Sequence, residues 1–206
     1  MPLSGMLYIA NMETPDKNDH RGCSDKLCRF TKTENNTYES LHAEECIGCN
    51  HVEPELDQLD SILTKGSYPV LSLTSDISQA TIGLQEYSTD TPYVAISHVW
   101  SDGLGNPHRN SIPRCQYIRL SNTVREVAEK FPGTGVSTFW LDTICCPLED
   151  GSRIQNMALH KMKETYQNAE VVVVLDSYML QQKMVDITDL EILMKLQCSK
   201  WTFRLW

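Results

Sequence analysis

The 206-residue sequence has no long hydrophobic run. Its longest unbroken aliphatic stretch is Val171–Leu175, against the ~20 residues that cross a bilayer, so no membrane association is expected. Met1–Ala10 lacks the basic start and apolar stretch of a secretory signal, and a cytoplasmic location follows as the expectation. Positive charge is scarce: 18 Lys and Arg face 27 Asp and Glu, for a net charge of −9. A nucleic-acid binder draws its affinity from neutralising phosphates, so this balance argues against that class. Internal repeats and low-complexity tracts are absent too. With 41% hydrophobic and 22% charged residues, the composition is globular, and the length suits one domain with a small appendage.

Cysteine is well represented, with eight in the chain. Without an export signal, such cysteines serve as metal ligands or plain thiols rather than disulfides. Four of them, Cys23, Cys28, Cys46 and Cys49, stand close together with His20, His42 and His51. The pattern reads H-x2-C-x4-C, then H-x3-C-x2-C-x-H. Zinc takes four soft or borderline ligands in a tetrahedron, which two short-spaced pairs joined by a loop can supply. The stretch between the pairs is polar and builds no core, so a structural zinc would supply the missing folding energy. The preferred ligands are Cys23, Cys28, Cys46 and Cys49, with His42 as replacement. The alternative is reduced thiols and surface histidines in an acidic loop. Residues 1–66 hold 12 acidic and 6 basic residues, against 15 and 12 in 67–206. A small Cys/His-rich segment over 1–66 and a main domain over 67–206 are therefore expected.

Glu55–Lys65 has apolar residues at helical spacing and is stopped by Gly66. Val70–Leu73 and Thr81–Tyr87 read as strands. Tyr93–Val99 and Ser137–Asp142 read as strands buried on both faces, with Ser101–Pro113 a loop. Asn122–Phe131 is expected to be a helix capped by a Thr123–Glu126 box, and Arg153–Ala169 an amphipathic helix. Val171–Asp176 is a core strand. Thr188 and Glu191 cap a last helix. Strand and helix alternate from Tyr93 onward, which predicts an α/β fold with a parallel sheet flanked by helices. Ligands gather beyond the C-terminal ends of such strands. That rule selects His98–Gly103 and Asp142–Pro147.

Those segments carry a family resemblance. YVAISHVW at Tyr93–Trp100, WLDTIC at Trp140–Cys145, the helix ending in Tyr166 before a valine-rich strand, and SKWTFRLW at the end together resemble the fungal heterokaryon incompatibility (HET) domain. HET domains are regarded as relatives of the Toll/interleukin-receptor (TIR) domain. The resemblance implies a flavodoxin-like, TIR-like sheet. It also implies a role in nonself recognition, innate immunity and programmed cell death, with self-association or pairing with other HET or death-pathway proteins. Some TIR domains hydrolyse NAD, so the resemblance makes NAD a candidate substrate or nucleotide ligand. TIR-type cleavage uses a glutamate soon after the S-x-W segment. In direct alignment that position falls on Leu205, and the last glutamate is Glu191. Either the chain is part of a longer protein or the activity is absent, leaving a non-enzymatic oligomerising module. No catalytic residue is assigned.

Each candidate ligand contact has a structural alternative. His98 can orient a ligand or shuttle a proton, or donate to a neighbour and fix its loop. Trp100 can stack on a base, or anchor the glycine loop. Asp102 can bind ribose or stabilise its turn. Asp142 can bind ribose, or cap the backbone donors that follow it. Arg153 can clamp a phosphate at a helix start, or pair with Glu149 or Asp150. Cys145 and Cys146 are read as buried thiols rather than nucleophiles.

Overall fold

The computed structural model describes residues 38–43, 46–74, 81–148, 151–180, 188–197 and 199–203. Cys23 and Cys28 lie outside these residues. The chain divides into two compact units, one spanning Glu34–Val174 and one whose described part begins at Leu175.

In the first unit the order is β1 (His51–Pro54), α1 (Leu56–Thr64), β2 (Pro69–Ser72), β3 (Thr81–Ile82), β4 (Leu84–Glu86) and β5 (Tyr93–His98). Then follow β6 (Ile112–Pro113), α2 (Arg114–Lys130), β7 (Thr138–Leu141), α3 (Asp142–Cys145), α4 (Arg153–Gln167) and β8 (Val171–Leu175). Helix α1 ends where Gly66 takes a φ of +79° and returns its N–H to the Leu63 carbonyl at 2.9 Å, a conformation that costs glycine little. The strand expected over Thr81–Tyr87 is divided at Gly83.

Helix α2 begins eight residues before the expected Asn122. Pro113 is still extended (φ −55°, ψ 136°), and the chain turns helical immediately after it. Tyr117, Leu120 and Val124 then fall on one buried face. Thr123 therefore sits in mid-helix, and its spacing to Glu126 is not a cap. The segment read as loop before it contains a 3-10 turn at Trp100–Asp102 and the short strand β6.

Five strands form one sheet in the order β4-β2-β7-β5-β8. Strands β5 and β7 run parallel, with Tyr93 opposite Thr138 and Ile96 opposite Leu141. Strands β2 and β4 extend the sheet antiparallel, so it is mixed. Strands β3, β1 and β6 make a second, small sheet. Alternate residues of β7 point to opposite faces. Phe139 meets Tyr117 of α2 on one side, with ring centroids 5.4 Å apart, and Trp140 meets Tyr166 of α4 on the other at 5.5 Å. Helices thus cover both faces, which is why β5 and β7 are apolar at nearly every position. Helix α1 packs against α4. The Tyr93 hydroxyl donates to the Thr165 carbonyl, tying β5 to α4.

The Val171–Val174 run is not core. As the last strand in the sheet order it alternates, leaving Val172 and Val174 exposed at 41% and 37%. Apolar continuity in the sequence does not separate a central strand from an edge strand.

The second unit contains α5 (Ser177–Leu180) and α6 (Asp189–Gln197). The expected capping box is present: the Glu191 amide donates to Thr188 Oγ1 at 3.3 Å, and the Thr188 amide to Glu191 Oε2 at 2.8 Å. Buried Asp176 accepts from Ser199 Oγ at 2.9 Å and from the Trp201 amide at 3.1 Å, which seats the S-x-W segment. Among the described residues no helix is long and apolar enough to cross a membrane.

Candidate functional site

Because β5 and β7 are parallel neighbours in matched register, their C-terminal ends lie side by side. His98 ends β5 and Asp142 follows β7. The His98 Nε2 atom lies 2.7 Å from Asp142 Oδ1, and Trp100 Nε1 donates to Oδ2 at 3.0 Å. A carboxylate only accepts, so His98 carries its proton on Nε2. The Thr143 amide adds a third donor at 2.7 Å, and its hydroxyl reaches both Asp142 Oδ1 and the Leu104 carbonyl. His98 is 1% exposed and the Asp142 side chain 13%. Burial alone would push the pKa of Asp142 up. The charge and hydrogen bond of His98, with the donors Trp100 and Thr143, outweigh it and hold the carboxyl below its usual range. His98 Nδ1 is buried with no hydrogen-bond partner among the described residues.

The loop after β5 is clamped from outside. Tyr38 donates to the Trp100 carbonyl at 2.7 Å, and Ser40 to the Gly105 carbonyl at 2.8 Å. The Leu41 amide donates to the Gly103 carbonyl at 2.9 Å. Burial, opposed by the Gly105 backbone bond and reinforced by the charges of Asp102 and Asp142, pushes the Tyr38 hydroxyl up to about 12. Trp100 lies under Gly105 so closely that an added Cβ would stand 2.5 Å from its indole. Gly105→Ala is therefore expected to destabilise the fold by about 1–3 kcal/mol, because the ring cannot swing aside without leaving Asp142. A urea midpoint unchanged from the parent would contradict this packing.

Not every expected residue joins this rim. Asp102 closes the 3-10 turn, its amide bonding the Val99 carbonyl at 2.9 Å. Arg153 opens α4 behind its N-cap Ser152 and lines a separate cleft of about 750 Å³ with Leu63, Asn156 and His160. Burial pushes the Cys145 thiol up to about 12 and raises Cys146 well above the usual thiol range. Neither is a thiolate nucleophile at neutral pH. A second cleft of about 410 Å³ opens between the loops that follow the two strand ends, lined by His108, Arg109, Asn110, Pro147 and Leu148. Its Arg109 is paired with Glu53 at 2.7 Å.

A second constellation lies just past the clamping segment. Of the expected ligands, Cys46 and Cys49 come together with His42, the expected replacement, and with Cys115 from the first turn of α2, whereas Cys23 and Cys28 lie outside the described residues. Their ligand atoms all lie within 4.8 Å of one another and could hold a metal ion. A backbone hydrogen bond from Gly48, the leading cause, lowers the Cys46 thiol, whereas burial pushes Cys115 up to about 11. Cys115 is the residue that sequence reading missed. It stands alone, 66 residues from Cys49 in the sequence, and no spacing pattern ties it to the other ligands.

The comparisons decide the family. Residues 93–191 match the family described as Heterokaryon incompatibility protein (HET). The chain carries a HET domain. Searches of curated proteins and of solved structures each gave no match. The HET match begins with β5 and ends within α6, so it contains both halves of the His98–Asp142 pair. His42, Cys46 and Cys49 precede it, whereas Cys115 is part of it.

Proposed function

We propose that this HET-domain protein acts in nonself recognition leading to regulated cell death, as an interaction module that assembles with copies of itself in the cytoplasm. The observation that carries this reading is the internal bonding of the rim. Both oxygens of Asp142 are taken by His98, Trp100 and Thr143, and Tyr38 and Ser40 close the adjoining loop. An aspartate so engaged holds two strand ends together, which is a structural task. Edge strand β8, with its exposed valines, supports assembly, since an unpaired strand edge is a template for another chain. Other HET or death-pathway proteins are alternative partners of that edge.

A second reading, TIR-like binding or hydrolysis of NAD, draws support from the unpartnered His98 Nδ1. One pair of measurements separates the two. Molar mass should rise with protein concentration in light scattering. Incubation with millimolar NAD should release no nicotinamide. A strict monomer at high concentration would overturn the assembly reading. Nicotinamide release that disappears in His98→Ala would establish the NAD reading instead.

A further inference from the structure

We propose that His42, Cys46, Cys49 and Cys115 bind one Zn²⁺ ion, and that this ion fastens the segment Tyr38–Cys49 to the HET domain and so holds the cover over the β5–β7 rim. The geometry of the four residues points to this occupant. His42 Nδ1 lies 3.5 Å from the sulfur of Cys46, of Cys49 and of Cys115. Bond lengths of ~2.3 Å to sulfur and ~2.0–2.1 Å to nitrogen, at tetrahedral angles, require a nitrogen–sulfur edge of about 3.5 Å. Three equal edges of that length set the imidazole nitrogen as far from each sulfur as the apex of such a tetrahedron requires, with all four ligand atoms within 4.8 Å of one another.

The backbone is arranged for thiolates. The Ala43 amide donates to Cys115 Sγ at 3.2 Å, and the Cys115 amide to Cys49 Sγ at 3.4 Å. Such donors steady the charge that sulfur carries when it ligates a metal. The donor set of three thiolates and one imidazole excludes the oxygen-seeking cations and suits zinc. Four protein ligands complete the coordination, so the site is structural and leaves no open position.

The need for an ion is visible in the segment itself. Leu41 is largely exposed and Ile47 fully so, so among the described residues of this segment apolar burial is small. What the segment has instead is a row of polar contacts to the HET domain. Gln116 Nε2 donates to the Leu41 carbonyl at 2.9 Å, beside the Tyr38, Ser40 and Leu41 bonds to the Trp100–Gly105 loop. Hydrogen bonds of this kind contribute only modest net stability each, whereas a bound metal contributes its binding free energy to the folded form. Cys115 matters most here, because it is the one ligand that belongs to the HET domain rather than to the segment.

The test uses the full chain. Purified protein should contain one zinc per chain by elemental analysis. Replacement by Co²⁺ should give the intense visible absorption of a tetrahedral thiolate site, with charge-transfer intensity for three thiolates. Cys115→Ser should lose most of the zinc, while Cys145→Ser, a buried thiol outside the cluster, should keep it. Chelation should raise hydrogen exchange at residues 38–43 and 100–105 at least tenfold and leave β7 unchanged. If Cys115→Ser does not fold, the cobalt spectrum of the parent chain still counts the thiolates. A parent chain that takes up neither zinc nor cobalt, a spectrum with fewer than three thiolates, or full zinc retention in Cys115→Ser would each overturn the site. Unchanged exchange at 38–43 after metal removal would overturn the clamp. None of these readouts depends on whether the protein assembles or cleaves NAD.

Discussion

Asp142→Ala is expected to cost about 3–5 kcal/mol of folding stability, the range for breaking one partner out of a buried charged network. The substitution removes the common acceptor of His98 Nε2, Trp100 Nε1 and the Thr143 amide. His98 is buried, with its other ring nitrogen already unpartnered, so the ring would lose its one strong hydrogen bond. Asp142→Asn is expected to cost less, about 1–3 kcal/mol. Its amide oxygen can still accept from His98, but the amide nitrogen then faces the Trp100 N–H, donor against donor. The same carboxylate makes stability depend on pH. Its pKa is held below the ordinary value in the folded chain, by His98 and the other donors against the effect of burial. The unfolded chain therefore takes up the proton first as pH falls. The contribution is complete above about pH 4 and is lost as pH drops through the folded value. Urea midpoints measured at decreasing pH should fall in the parent and flatten in Asp142→Asn. An unfolding free energy for Asp142→Ala within about 0.5 kcal/mol of the parent, the scale of an ordinary surface substitution, would refute the network.

Trp140→Ala should be comparably severe, at about 3–5 kcal/mol. Trp140 is 2% exposed, in a central strand, and packs edge-on against Tyr166 of α4. Its removal empties the layer between the sheet and α4, where Tyr93 and Thr165 are fixed by their own hydrogen bond and are poorly placed to collapse inward. Trp140→Phe, which keeps much of the volume, should recover at least half of the loss. Chemical denaturation of the two variants against the parent decides it, and a Trp140→Ala chain as stable as the parent would mean that this layer is not packed as described.

These two residues also mark how far sequence reasoning reached. The apolar runs at Tyr93–Val99 and Ser137–Asp142 identify doubly covered strands because residues pointing either way are apolar, and Tyr93–Val99 and Thr138–Leu141 are buried throughout. The alternation of strand and helix then makes the two strands parallel, and parallel strands end on the same side. That much brings His98 and Asp142 to one rim before any coordinate is considered. The capping box at Thr188 and Glu191 is likewise a local device, written in four adjacent residues. The Thr123–Glu126 spacing looks identical and is not a cap, because the face of α2 formed by Tyr117, Leu120 and Val124 carries the helix back to Pro113.

Local chemistry thus determines the strands, the rim and the cluster of soft ligands around His42, Cys46 and Cys49. Three matters were decided only by the tertiary structure. Val172 and Val174 are exposed because β8 lies at the sheet edge. The Asp142 oxygens are bonded by Trp100 and His98, because two loops close on one carboxylate. Cys115 completes the sulfur cluster because α2 starts beside Cys49. Each depends on residues distant in the chain arriving at one place, and periodicity and spacing, which describe neighbours along the backbone, carry no record of such meetings.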